Sequence, residues 1–140
     1  MEINSMVVID DNLDNRVAFG MAVEEVKGDI DYYPFTFIDE ALTIPNALIQ
    51  STPDIIFINL DIPYNNGLDC IRMLRAVEQY KNVPLIVYSD SGIDKHKAEY
   101  LGVSHCFHKP KNIRLLVKTI APILRGEILP VCLCEGKMTK

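Results

Sequence analysis

Several polar residues follow short apolar runs in this chain. Asp10 and Asp11 follow Met6-Val7-Val8-Ile9, and Asn59 and Asp61 close Ile55-Ile56-Phe57-Ile58. Ser89 follows Leu85-Ile86-Val87-Tyr88, and Lys109 lies just past the run from Val103 to Phe107. Clustered carboxylates with carbonyl oxygens suit Mg²⁺, a hard cation that takes oxygen ligands. A lysine and a hydroxyl hold phosphoryl oxygens. Together these groups are the equipment of phosphoryl transfer, where catalysis is mostly positioning and charge neutralisation. Asn59 and Asp61 stand closest to the centre of such a site, and which of them matters is the question the sequence poses.

The runs that carry these residues are too short for helices and rich in β-branched and aromatic side chains, so they read as buried strands. Chemistry in an open parallel sheet sits just beyond the carboxyl ends of such strands. Between the strands the pattern turns helical. Asn12 is placed to cap a helix to about Lys27, with Val17, Met21 and Val23 to Val26 on its apolar face. Tyr32 to Phe37 is β-prone, and Pro34 marks it as an edge strand. Asp39 opens a second helix to about Ser51, kinked or interrupted at Pro45.

Leu68 to Gln79 reads as a helix with Ile71, Leu74 and Val77 on one face. Ile93 to Leu101 reads as a polar, exposed helix that Gly102 ends. Asn112 caps a last helix, Ile113 to Leu124, with Ile113, Leu116, Val117, Ile120 and Leu124 on one face. Strand and helix thus alternate five times, which predicts an α/β fold with helices on both faces of a parallel sheet. Right-handed crossovers favour the flavodoxin-like, doubly wound five-stranded order 2-1-3-4-5.

The length of 140 residues suits one domain, with the α/β repeat over 1–125 and a C-terminal extension over 126–140. Ile128 to Leu133 has the apolar content of a short extra strand, or of a patch that packs on a neighbouring chain and makes a homodimer. The net charge of −5 argues against a domain that grips nucleic acid by its backbone. No apolar stretch approaches the ~20 residues that span a bilayer, and Met1 to Met6 lacks a basic signal-peptide start. The expectation is a cytoplasmic protein with no membrane contact. Cys70, Cys106, Cys132 and Cys134 lack zinc-site spacing and read as small hydrophobes. His96, His105 and His108 are not spaced as ligands, and Asp94 to Lys97 reads as a solvated helix face.

Four stretches now carry a resemblance: Val7-Val8-Ile9-Asp10-Asp11, Pro53-Asp54-Ile55-Ile56 through Pro63 to Gly67, Pro84 to Ser89, and His108-Lys109-Pro110. In this order the chain resembles a response-regulator receiver domain over about Met6 to Leu124. The resemblance implies that Asp10 and Asp11 bind Mg²⁺, with a backbone carbonyl from Asp61. It implies that Ser89 and Lys109 read out a phosphoryl group and that the bond before Pro110 is cis. It implies a histidine kinase, a phosphotransfer protein or a downstream effector as partner, met through the face formed by 93–101, 103–107 and 113–124. No organic cofactor is implied.

Two positions depart from the family pattern. The phospho-acceptor position is Asn59, and an amide is a poor nucleophile where an acyl phosphate needs a carboxylate. Losing that negative charge also weakens or abolishes Mg²⁺ binding. Asp61 has the carboxylate but lies ~6–7 Å further along the strand direction. The relay position, usually Tyr or Phe, is Cys106; strand alternation sends its neighbour Phe107 into the core on the other face. Tyr88 reads as a wall residue.

Three functions compete. The first is a pseudo-receiver without enzymatic turnover, acting through protein contacts and without aspartyl phosphorylation. The second is a working acceptor that uses Asp61 or another acid. The third is an enzyme on the same fold, a metal-dependent phosphatase or a flavin protein. Asp10-Asp11 would repel a flavin phosphate, and Asn59-Leu60-Asp61 lacks the first acid of an aspartyl phosphatase. Plainer roles stand beside these: the acid pair capping the first helix, and Lys109 pairing with Asp10, Asp11 or Asn59. No output domain fits in the tail, so the chain reads as a stand-alone regulator or a fragment of something larger.

Overall fold

The computed structural model describes residues 2–39, 52–61, 67–92, 95–100 and 102–127. Five parallel strands form one sheet: β1 (Ser5–Ile9), β2 (Asp31–Phe35), β3 (Ile55–Asn59), β4 (Leu85–Ser89) and β5 (His105–His108). Their order is β2-β1-β3-β4-β5, the flavodoxin-like order. Four helices are described: α1 (Leu13–Val26), α2 (Gly67–Arg75), α3 (Lys95–Tyr100) and α4 (Ile113–Leu124). Of the helix expected from Asp39 to Ser51 only Asp39 is described, and it is helical; residues 40–51, the strand or patch at Ile128 to Leu133, and Cys132 and Cys134 lie outside the described residues.

Two apolar layers cover the sheet, and strand alternation decides which residue joins which. On one face Val7, Ile9, Ile56, Ile58, Val87 and Cys106 pack with Ile71 and Leu74 of α2. On the other, Met6, Val8, Phe57, Tyr88 and Phe107 pack with Phe19 of α1 and Leu116 and Ile120 of α4. The second layer holds an aromatic cluster. Phe19 lies 5.4 Å from Phe57 and 5.2 Å from Tyr88, and Tyr88 stacks on Phe107 at 5.5 Å. Offset and tilted ring pairs at these distances add to plain burial.

Asn12 caps α1 by accepting from the Asn15 N–H at 2.9 Å, and Asn112 caps α4 by accepting from Leu115 at the same distance. The apolar face of α1 differs from expectation. Phe19, Ala22 and Val23 are buried, whereas Val17 is 52% and Met21 59% exposed. The run is apolar nearly all round, so composition could not orient it; the Phe19 ring, seated in the aromatic cluster, does. Pro34 sits on the edge strand β2, where its missing N–H leaves no ladder bond open.

The helix expected over 68–79 ends at Arg75, and a 3₁₀ turn, Glu78–Tyr80, follows. Tyr80 is buried in that turn. The Arg75 guanidinium bonds the carbonyls of Tyr80, Lys81, Val83 and Gly102, fixing the chain between α2 and β4. Gly102 ends α3 with φ of +77°, as a C-terminal glycine should. No helix among the described residues is long and apolar enough to cross a membrane.

Candidate functional site

The site lies where β1, β3 and β4 end. Ile9 pairs with Ile58, and Asn59 pairs with Tyr88. Asp10, one residue beyond Ile9, therefore falls beside Asn59. By alternation Asp10, Asn59 and Tyr88 continue the rows that feed the aromatic layer, so their side chains share a face. All three are buried.

Asp10 is held by four donors. One carboxylate oxygen accepts from the Asn12 N–H at 2.9 Å and from Asn59 Nδ2 at 3.2 Å. The other accepts from Asn15 Nδ2 at 3.0 Å and from the Tyr88 hydroxyl at 2.6 Å. A carboxylate offers about four lone-pair sites, so this one is filled from within the chain. Burial, reinforced by the neighbouring Asp10 charge, pushes the Tyr88 hydroxyl well above its ordinary pKa of 10.0, so it stays a donor. Tyr88, expected as a wall residue, is buried there and also donates its hydroxyl to Asp10. The available signal was its place in the same alternating row as Asn59.

Asn59 bridges the Asp10 carboxylate and the Asp61 backbone. Its Nδ2 donates to Asp10, while its Oδ1 accepts from the Asp61 N–H at 2.9 Å. That second bond is an Asx turn, which curls the chain as the strand ends. An aspartate here would have no N–H to give to Asp10.

The curl carries Asp61 back over the tip of β4. One Asp61 oxygen accepts from Ser89 Oγ at 2.7 Å and from Ser91 Oγ at 3.0 Å. The other accepts from the Asp90 N–H at 2.8 Å and lies 3.2 Å from Lys109 Nζ. Desolvation works to raise the pKa of this carboxyl; the donors from Asp90, Ser89, Ser91 and Lys109 outweigh it and hold the group at about 2. β3 ends at Asn59, so strand alternation stops there and Asp61 lies in the turn that follows. Lys109 pairs with Asp61, and at 3.8 Å with Asp90, rather than with the acid pair or Asn59.

Three further positions can be placed. Asp11 is half-buried at the rim, and Asp10 serves the loop through Asn12, while the cap of α1 is Asn12 itself. The bond before Pro110 is trans, not cis as the resemblance implied. Trans is the intrinsically favoured isomer by ~0.5–1 kcal/mol, and Lys109 reaches Asp61 in that form while its N–H donates to the Ser89 carbonyl at 3.2 Å. Cys106 lies buried on the α2 face, opposite Phe107, in register with Val87. Cys70 is a buried free thiol.

These contacts also test the fit of Mg²⁺. Asp10 has its acceptor sites filled, Asn59 turns an NH₂ towards it, and the Asp61 carboxylate is turned away to Ser89 and Lys109. Among the described residues no group of three or more His, Cys, Asp or Glu converges as a metal-binding cluster. As arranged, the side chains do not fit a divalent cation.

The response regulator receiver domain family matches residues 6–121. The chain is 24% identical over 106 residues to response regulator protein GraR of Staphylococcus haemolyticus, covering 73% of this chain and 46% of that protein. It is 22% identical over 114 residues to stress response regulator protein 1 of Candida tropicalis, covering 78% of this chain and 41% of that one. The chain therefore spans less than half the length of these relatives. Among solved structures, the phosphorylated cyanobacterial phytochrome response regulator RcpA superposes with a TM-score of 0.73 at 20% identity, covering 93% of this chain and 99% of that one. Chemotaxis response regulator CheY4 of Vibrio cholerae gives 0.70 at 18%, covering 87% and 99%. With that match over most of its length, and with the strand order and strand-tip residues that go with it, the chain belongs to the response regulator receiver domain family.

Proposed function

We propose that this receiver domain is a signalling module that works by protein–protein contact, without phosphorylation at the usual acceptor position and without enzymatic turnover. The observation that carries the reading is the double hydrogen bond of Asn59, to Asp10 on one side and to the Asp61 N–H on the other. An amide in that position is a poor nucleophile, and both of its polar ends are engaged in structure. The partner is a histidine kinase, a phosphotransfer protein or a downstream effector, met in the cytoplasm through α3, β5 and α4. On α3, Tyr100 is 89% exposed, a large ring available for such a contact. The unit that does this is 1–125, with 126–140 as an extension.

A second reading uses Asp61 as the acceptor. Its support is that Asp61 stands against Ser89 and Lys109, the pair suited to phosphoryl oxygens. Against it, each Asp61 oxygen is already engaged by two donors. Incubation with Mg²⁺ and acetyl phosphate, followed by intact mass and peptide mapping, separates the two. The pseudo-receiver gives no adduct at all; a stoichiometric phosphoryl group on Asp61 overturns it in favour of the second reading.

A further inference from the structure

Four donors converge beyond the tip of β4: Ser89 Oγ, Ser91 Oγ, the Asp90 N–H and Lys109 Nζ. They come from two strand ends, Ser89 from β4 and Lys109 just past β5. The set is held together from within. The Ser91 N–H donates to Ser89 Oγ at 3.0 Å, and the two hydroxyls lie 3.1 Å apart. The Lys109 N–H, bonded to the Ser89 carbonyl, fixes the two strand ends side by side. An ammonium, two hydroxyls and a backbone N–H aimed at one point are what a small oxyanion needs. The point at which they aim holds the carboxylate of Asp61.

We propose that these donors form an oxyanion cradle that the Asp61 carboxylate fills in cis, so that the chain is its own ligand where a phosphate-like anion would otherwise sit. The inference rests on the reading that Asn59 carries no phosphoryl group. It adds a reason why the donors remain: the Asx turn of Asn59 delivers a permanent anion to them. The side chain at 59 thus does not leave the cradle vacant. It changes the source of the anion, from a group added by a partner to a carboxylate two residues on. The Ser89–Lys109 end of the site is then locked in its anion-bound arrangement at all times.

Titration with inorganic phosphate, followed by the backbone amide shifts of Ser89, Asp90 and Ser91, tests this. The wild type should show no saturable shift. Asp61→Ala empties the cradle and should bind phosphate at least about tenfold more tightly than the wild type. Asp61→Ala combined with Lys109→Met should lose that gain. A folded Asp61→Ala protein that binds phosphate no better than the wild type overturns the proposal, and so does a gain that survives loss of Lys109. If Asp61→Ala does not fold, Asp61→Asn keeps the volume while removing the charge, and the same gain is required of it. The two readings fail separately. A phosphoryl adduct on the wild type overturns the pseudo-receiver itself, whereas a flat phosphate titration of the folded variant overturns the cradle and leaves the pseudo-receiver.

Discussion

Lys109 Nζ lies 3.2 Å from a carboxylate oxygen of Asp61, and both side chains are largely withdrawn from solvent. The pair joins the turn after β3 to the residue after β5, across the end of β4. Around it the strand tips form two filled carboxylates, Asp10 and Asp61, with Asn59 bonded to both residues. Like charges at such a strand tip would ordinarily call for a cation. Here protein donors and one amide do that work.

Asn59→Asp should restore the missing carboxylate and place it against Asp10, now 3.2 Å from Asn59 Nδ2. Without Mg²⁺ the lost donor and the new repulsion should cost about 2 kcal/mol, or several degrees in Tm. Adding Mg²⁺ should recover that loss in the variant and leave the wild-type Tm unmoved. The variant should also gain Mg²⁺-dependent phosphorylation by acetyl phosphate. Thermal melts with and without Mg²⁺, and intact mass, check both; a variant that takes no phosphoryl group shows a pocket altered beyond residue 59.

Tyr88→Phe deletes the 2.6 Å bond to Asp10 while keeping the ring stacked on Phe107. One oxygen of a buried carboxylate is then left with Asn15 alone. The expected loss is about 2 kcal/mol, because hydrogen bonds to charged groups are at the strong end. Urea unfolding reads it as a lower midpoint with an unchanged slope.

Stability should fall in acid through Asp61. Its folded pKa, about 2, is below the ordinary 3.8, so the stabilisation is fully present above the unfolded value. It is lost as pH falls from about 4 towards about 2. Asp61→Asn should flatten that part of the stability profile, and Lys109→Met should raise the Asp61 pKa by removing one of its donors. Side-chain carboxyl shifts followed by NMR report the second effect, and urea midpoints across the same range report the first.

Arg75→Ala removes the guanidinium that binds four backbone carbonyls between α2 and the start of β5. Part of this set is exposed and rehydrates, so the expected loss is about 2 kcal/mol rather than the sum of four bonds. Amide exchange should speed up in the Glu78–Tyr80 turn before it does so in β3. Equal protection in wild type and variant would assign the clamp no role in fixing that turn.

The sequence by itself determined the sheet. Apolar runs of four or five residues, separated by capped helical stretches, allow few arrangements, and each run ends in the polar residue that the fold then places at the crevice. It also determined that residue 59 is an amide, and alternation correctly sent Phe107 to the core and away from Cys106. Which side of α1 is buried was not legible, because Val17 and Phe19 are both apolar and only the rings of Phe57 and Tyr88 distinguish them. The partners of Tyr88 and Asp61 were also beyond it. Tyr88 meets Asp10 only because three strands pair in one register, and Asp61 meets Lys109 only because a side-chain hydrogen bond ends the strand. Residue pattern is local, but a carboxylate is satisfied by whatever donors tertiary structure brings within 3 Å or so, and the donors to the Asp61 carboxylate lie 28 and more residues away in the chain.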